Sequence, residues 1–212
     1  MEMYPLEFHV ITDGKQSEDR ILSVSSILAP HVTAIHIREN SQAAGDIYSL
    51  SEKLKQCGIQ NEAIYMNDRV DVAVAAGLGG IHLKESSLAP DVVRHHFPSF
   101  RIGQSVHSRD GAIQAEQKGA DYLFFGHVFS TESKKDKEPR GLDQLQEVAE
   151  AVSIPVLAIG GISPERVGAI VSAGASGIAV MSGIWKAEDP VSIAKQYKAV
   201  LMKESDQDAQ TL

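Results

Sequence analysis

The sequence predicts a single-domain α/β fold, the (β/α)8 TIM barrel, and three observations predict it. Eight short apolar runs recur along the 212 residues, helix-like stretches separate them, and glycines close several of those stretches at similar spacing. The runs are Phe8–Thr12, Ala34–Arg38, Ala63–Asn67, Gly80–Leu83, Arg101–Val106, Tyr122–Val128, Pro155–Gly161 and Gly177–Gly183. They lack clean polar alternation. Phe124-Phe125, Val156–Ile159 and Ile178–Met181 read as strands buried on both faces, as a parallel sheet covered by helices requires.

Between the runs, helices are expected over 17–28, 43–56, 91–96, 108–117, 142–152, 164–173 and 190–203. The third and fourth runs lie close together, so the helix between them has room for little more than two turns. Ala76–Gly80, Lys118–Tyr122 and Ala173–Gly177 each place a glycine just past a helix, where the left-handed conformation closes it cheaply. Ser163-Pro164-Glu165 reads as a helix start with serine as N-cap, and Ser108 reads as another cap. The longest connection after a strand, Ser130–Gly141, reads as a solvated surface loop on the active face. The barrel is expected over residues 1–202, with 203–212 a polar, frayed tail.

Composition narrows the function. An apolar content of 43% supports one substantial core. A lone cysteine, Cys57, leaves no internal disulfide and suits a reducing cytoplasm. No leader-like or membrane-length apolar run is present, so a cytoplasmic protein with no membrane partner is expected. A formal charge of −8 argues against nucleic acid, although a local pocket can still be positive and take a small anion.

In a barrel of this kind the chemistry sits where the strands end. Those ends supply Thr12, Arg38, Asn67, Ser105, His127, Gly160, Gly161, Ser182 and Gly183 as a shortlist. Gly160-Gly161 and Met181-Ser182-Gly183 leave backbone amides open at strands seven and eight, the usual phosphate position. Arg38 can clamp a carboxylate or phosphate, and Asn67 can both donate to and accept from a heterocycle. Ser105 and His107 bracket the exit of strand five. His127 could carry a proton at neutral pH, or be a hydrogen-bonded core histidine like those at 9, 36 and 82. No metal-ligand spacing, Walker loop or dinucleotide fingerprint occurs, and no metal or cofactor is expected.

Taken together, His36–Glu39, Asn67–Asp71, Gly80–Leu83, Gly103–Ser108, Gly126–Phe129, Pro155–Ile162 and Gly177–Gly183 resemble the thiamine phosphate synthase family along almost the whole chain. That family couples a pyrimidine pyrophosphate to a thiazole phosphate with magnesium. Three departures stand out. Asn40 follows Arg38-Glu39 where the family has lysine. Serine replaces one magnesium-binding aspartate within Lys84–Ser87, while Asp68 keeps the position of the family's other ligand. His127 stands where the family has proline.

Those departures make the chain most similar to the thiazole tautomerase (TenI-type) branch. The resemblance implies an isomerase that aromatises a carboxythiazole phosphate through proton transfer by His127, with His107 as second candidate. Arg38, Asn67 and Ser105 would contact the substrate. Gly160, Gly161, Met181, Ser182 and Gly183 would hold its phosphate, and Thr131, Ser133 and Lys134 match ligand contacts of the synthase. A homodimer is also implied. The alternatives are a weak thiamine phosphate synthase and a non-catalytic sensor that binds a thiazole phosphate.

Overall fold

The computed structural model describes the backbone of residues 6–210 and the side chains of residues 6–206 except Ser133. Eight parallel strands close into a barrel in chain order. They are β1 (Glu7–Ile11), β2 (Ala34–Ile37), β3 (Ile64–Asn67), β4 (Gly80–Leu83), β5 (Arg101–Val106), β6 (Tyr122–Gly126), β7 (Val156–Ile159) and β8 (Gly177–Val180). Around them run α1 (Glu18–Leu28), α2 (Ala44–Gln56), α3 (Val70–Ala75), α4 (Pro90–His96), α5 (Arg109–Gln117), α6 (Gly141–Ala151), α7 (Val167–Ser172), α8 (Ser182–Trp185) and α9 (Pro190–Gln210). The barrel read from the sequence is the barrel observed.

The differences lie at element ends. Three runs, those of β6, β7 and β8, stop two or three residues early as strands, because the residues that line the mouth leave the hydrogen-bond ladder. A 3₁₀ turn over Pro164–Arg166 precedes α7, and Ser163 makes no side-chain capping bond there, unlike Ser108, whose Oγ accepts from Gly111 N at 3.1 Å. Residues 203–210 of the tail expected to fray continue instead as the end of α9, and residues 211 and 212 lie outside the described residues. Tyr197 and Leu201 of the same helix are buried and anchor it, and the good helix formers Lys203 and Glu204 carry the turn onward.

Two apolar layers result. Outside the barrel, aliphatic strand residues such as Val10, Ile35, Ile37, Ile81, Leu83 and Leu123 meet Ile21, Leu28, Leu54, Leu145 and Ile170 of the helices. Inside, the strands present a different set: Ile11, Ala34, Tyr65, Tyr122, Phe124, Leu157 and Ala179. The rings of His9, His36 and His82 share that interior, each within 5.7 Å of Phe124. Tyr122 fits only because β5 has no side chain beside it. A Cβ on Gly103 would lie 2.0 Å from the Tyr122 ring.

The barrel is sealed where its first and last strands meet. β1 pairs with β8 in the register Phe8 to Ile178 and Val10 to Val180. Trp185 Nε1 donates to the carbonyl of Ile11 at 2.7 Å, and the Tyr197 hydroxyl donates to that of Ile162 at 2.8 Å. Among the described residues no helix is long and apolar enough to cross a membrane.

Candidate functional site

A cavity of about 670 Å³ opens at the carboxyl ends of the strands. It gathers Arg38, Asn67, Ser105, His107, His127, Thr131 and Lys134 with Gly160, Gly161, Met181, Ser182 and Gly183. The sequence thus placed its candidates around one opening, although Ser133 falls outside the described side chains. Thr12, also on the shortlist, stays beneath it: fully buried, its Oγ1 accepts from Arg38 N at 2.8 Å. Lys84 and Lys137 also line the cavity and were not singled out, and Glu85 and His82 line it beside them. A smaller hollow of about 220 Å³ at the opposite end, between Phe8, His31 and Lys198, brings together no comparable set of polar groups.

One rim is built from backbone. Gly160 and Gly161 sit at φ +96° and +66°, a region side chains avoid. A Cβ at 160 would strike His127 and one at 161 would strike Phe129 and Ser130. At the neighbouring strand end α8 begins directly at Ser182. Bare main chain at both strand ends lets an anion come close to peptide N–H groups.

β4 lies across the closed barrel from β8, and its exit is cationic. Lys84 Nζ donates to Asp68 Oδ2, and the Ser87 hydroxyl donates to Asp68 Oδ1. Asp68 is held at φ +69°, a conformation aspartate tolerates better than most side chains. Burial lifts its carboxyl, but Lys84 and Ser87 outweigh burial and hold it below its ordinary value. The synthase pattern would place magnesium here, and these residues do not fit it. The only carboxylate at the position of the first ligand already has both oxygens engaged, one by an ammonium, and serine supplies no second charge.

The loop after β6, exposed over residues 135–139 as expected of a surface loop, also forms a wall of the mouth. Thr131, Lys134 and Lys137 of this segment line the cavity. Its return is pinned by Arg140 N donating to the His127 carbonyl and Gly141 N donating to that of Val128, both at 3.0 Å. Burial, then the charges of Lys137 and Arg140, lower the pKa of Lys134. His107 Nδ1 donates to the Gly126 carbonyl at 2.8 Å, which Arg140 Nε also reaches at 3.1 Å. Burial, together with Lys134 and Arg140, lowers the pKa of His107, so its ring is neutral at pH 7 with Nε2 bare. With Arg38 at the end of β2, the mouth gathers positive charge on a chain of net charge −8.

His127 is 5% exposed and faces this cavity. Its Nε2–H donates to the Lys137 carbonyl at 3.2 Å, which ties the ring to the loop wall. Below it His82 stacks on Phe124 at 4.0 Å and bonds Ser105 Oγ through Nε2 at 2.8 Å. Burial brings the His82 pKa down to about 3, so this ring is a neutral part of the floor.

Residues 8–184 match the family model described as thiamine monophosphate synthase. The thiamine-phosphate synthase of Pyrococcus abyssi is 36% identical over 197 residues, covering 92% of this chain and 95% of that one. That of Chlorobium phaeovibrioides is 41% identical over 161 residues, 74% of this chain and 77% of its own. A thiamine phosphate pyrophosphorylase structure from Pyrococcus furiosus superposes with TM-score 0.83 at 34% identity, covering 94% of this chain and 97% of that one. A 3-hexulose-6-phosphate synthase, 18% identical with TM-score 0.73, shares the fold alone. These relatives overturn the isomerase expectation, because thiamine-phosphate synthases are transferases. That expectation leaned on His127, and a histidine on a cavity wall, bonded to the loop through Nε2, does not by itself specify proton transfer to carbon.

Proposed function

The chain belongs to the thiamine monophosphate synthase family, and from that premise we propose that it is a transferase of the thiamine-phosphate-synthase kind. It would join a pyrimidine carried on a pyrophosphate to a thiazole phosphate and release inorganic pyrophosphate. Whole-chain similarity to proteins of that name supports the reading. The observation that carries it is a mouth with two anion-binding rims. The open backbone of Gly160, Gly161 and Ser182 suits the phosphate of the thiazole. Lys84, Lys134 and Lys137 suit the pyrophosphate. Arg38 and Asn67 lie on the strands that lead to the cationic rim, and His127 walls the space between the rims. Two partners held together in one cavity gain the advantage of proximity.

A second reading has its own observation. Because Lys84 engages Asp68, the chain could bind the phosphate ligands without joining them, as a sensor would. Mixing the protein with both substrates, with magnesium or with chelator, and following thiamine phosphate and pyrophosphate by chromatography separates the two. Product above the protein-free rate supports the transferase. Calorimetric binding of the thiazole phosphate with no product under either condition overturns it in favour of the sensor.

A further inference from the structure

Arg166 is exposed in the turn that leads from β7 into α7, and it does not line the cavity. Its guanidinium nevertheless reaches back to the glycine rim. Arg166 Nη1 donates to the Gly161 carbonyl at 2.6 Å, and the guanidinium carbon stands 4.5 Å from the centre of the Phe129 ring. Phe129 in turn packs on Gly161, where an added Cβ would lie 2.8 Å from the Phe129 Cβ. The ring face and the carbonyl together fix the guanidinium plane. Among the described residues no carboxylate forms an ion pair with Arg166, so the Gly161 carbonyl is the group its charge meets.

That carbonyl belongs to the peptide joining Gly161 to Ile162. The peptide is trans, and a trans peptide is planar with its N–H opposite its C=O. With the oxygen held outward by Arg166, the Ile162 N–H is aimed inward, and Ile162 lines the cavity. Ile162 is 8% exposed, and among the described residues its N–H meets no acceptor. A bare donor in so buried a residue is rare in a folded chain and marks a place for an acceptor from outside. The next carbonyl is held as well, because Ile162 O accepts from the Tyr197 hydroxyl. The backbone at Ile162 is thus clamped on both sides.

We propose that Arg166 is a positioning residue for a bound phosphate group. By holding the Gly161 carbonyl it aims the Ile162 N–H into the mouth and strengthens it, so a surface cation serves an anion site that it never touches. A cation on a carbonyl oxygen polarises the amide and leaves its N–H a better donor. The ligand class is inorganic phosphate or a phosphate monoester, whose free oxygens accept from backbone N–H groups. The proposal rests on the reading of Gly160 and Gly161 as the phosphate rim, and it holds for transferase and sensor alike.

Titrating inorganic phosphate into the ¹⁵N-labelled chain at constant ionic strength tests it, followed by amide NMR. In the wild type a saturable downfield shift of the Ile162 amide proton is expected, together with shifts at Gly161 and Ser182. Arg166→Met should weaken phosphate binding about fivefold and shrink the Ile162 shift, with the melting temperature unchanged. Lys186→Met removes an exposed charge at the end of α8 that makes no bond to this peptide, and it should leave the affinity intact. Wild-type binding that leaves the Ile162 amide unmoved overturns the proposal. So does binding that Arg166→Met leaves unchanged or that Lys186→Met weakens equally, and in all three cases the phosphate rim stands. No saturable shift at Gly161, Ile162 or Ser182 in the wild type overturns the reading of the rim and the proposal with it.

Discussion

The two sides of the same strands are built on different chemistry. Toward the helices β1 to β6 present Val10, Ile35, Ile37, Ile81, Leu83 and Leu123, a dry aliphatic layer held by area alone. Toward the axis they present Glu7, His9, His36, Tyr65, His82 and Tyr122, joined by directed hydrogen bonds and ring contacts. The outer layer tolerates exchange of one hydrocarbon for another of like volume. The inner one depends on charge state and on which atom carries each proton. Stability lies mostly in the first, and the placing of mouth groups lies in the second.

Acid should expose the contrast most strongly. His9, His36 and His82 have pKa values lowered by burial from the 6.5 they regain on unfolding. The unfolded chain then binds more protons, so stability is present above pH 6.5 and is lost as pH falls toward the folded values. Each ring that stays neutral in the folded chain contributes at most about 1.4 kcal/mol per pH unit. Glu7, near 2 when folded, adds loss in the same direction below its ordinary 4.5. Guanidinium unfolding at pH 7.5, 6 and 5 measures this, and a flat profile would remove the neutral interior.

Arg101→Met should cost about 3 kcal/mol in the same assay, because it strands the Glu7 carboxylate. Glu7→Leu combined with Arg101→Leu should recover much of that loss. Gly103→Ala, which thrusts a methyl into the Tyr122 ring, should cost about 2 kcal/mol by overpacking. At the mouth, Lys84→Met should weaken inorganic pyrophosphate binding about tenfold by calorimetry, or about 1.4 kcal/mol, with little change in melting temperature. In the outer layer Ile37→Val should cost about 1 kcal/mol, equally at pH 7.5 and 5. A pH-dependent cost there would show that the two layers are coupled.

All eight strands were legible because each is a short apolar run followed by a change of composition, and the ends of α2, α3, α5 and α7 carried a glycine. The mouth was legible for a related reason: strand ends converge in any closed parallel barrel, so Arg38, Asn67, His127 and Gly160 had to meet. What the strand pattern hid was parity. A run buried on both faces gives no alternation from which to tell that His9 and His36 point inward and touch, since that needs the register of β1 on β2 and of β2 on β3. Lys84 and Lys137 lie in polar stretches, where a lysine is ordinary until the fold turns it inward. The reaction was misread for another reason. A single histidine in place of proline was weighted above the similarity of the whole chain to transferases.

The seal between β1 and β8 bears on how the chain is made. Glu7–Ile11 leaves the ribosome long before its partner on one side, Gly177–Val180. Throughout that interval one edge of β1 has no strand to pair with, and the carbonyl of Ile11 lacks the indole of Trp185. Nascent chains and products truncated before residue 177 would expose a flat, apolar edge that favours self-association. Synthesis of Gly177–Val180 therefore decides whether β1 is enclosed or left adhesive.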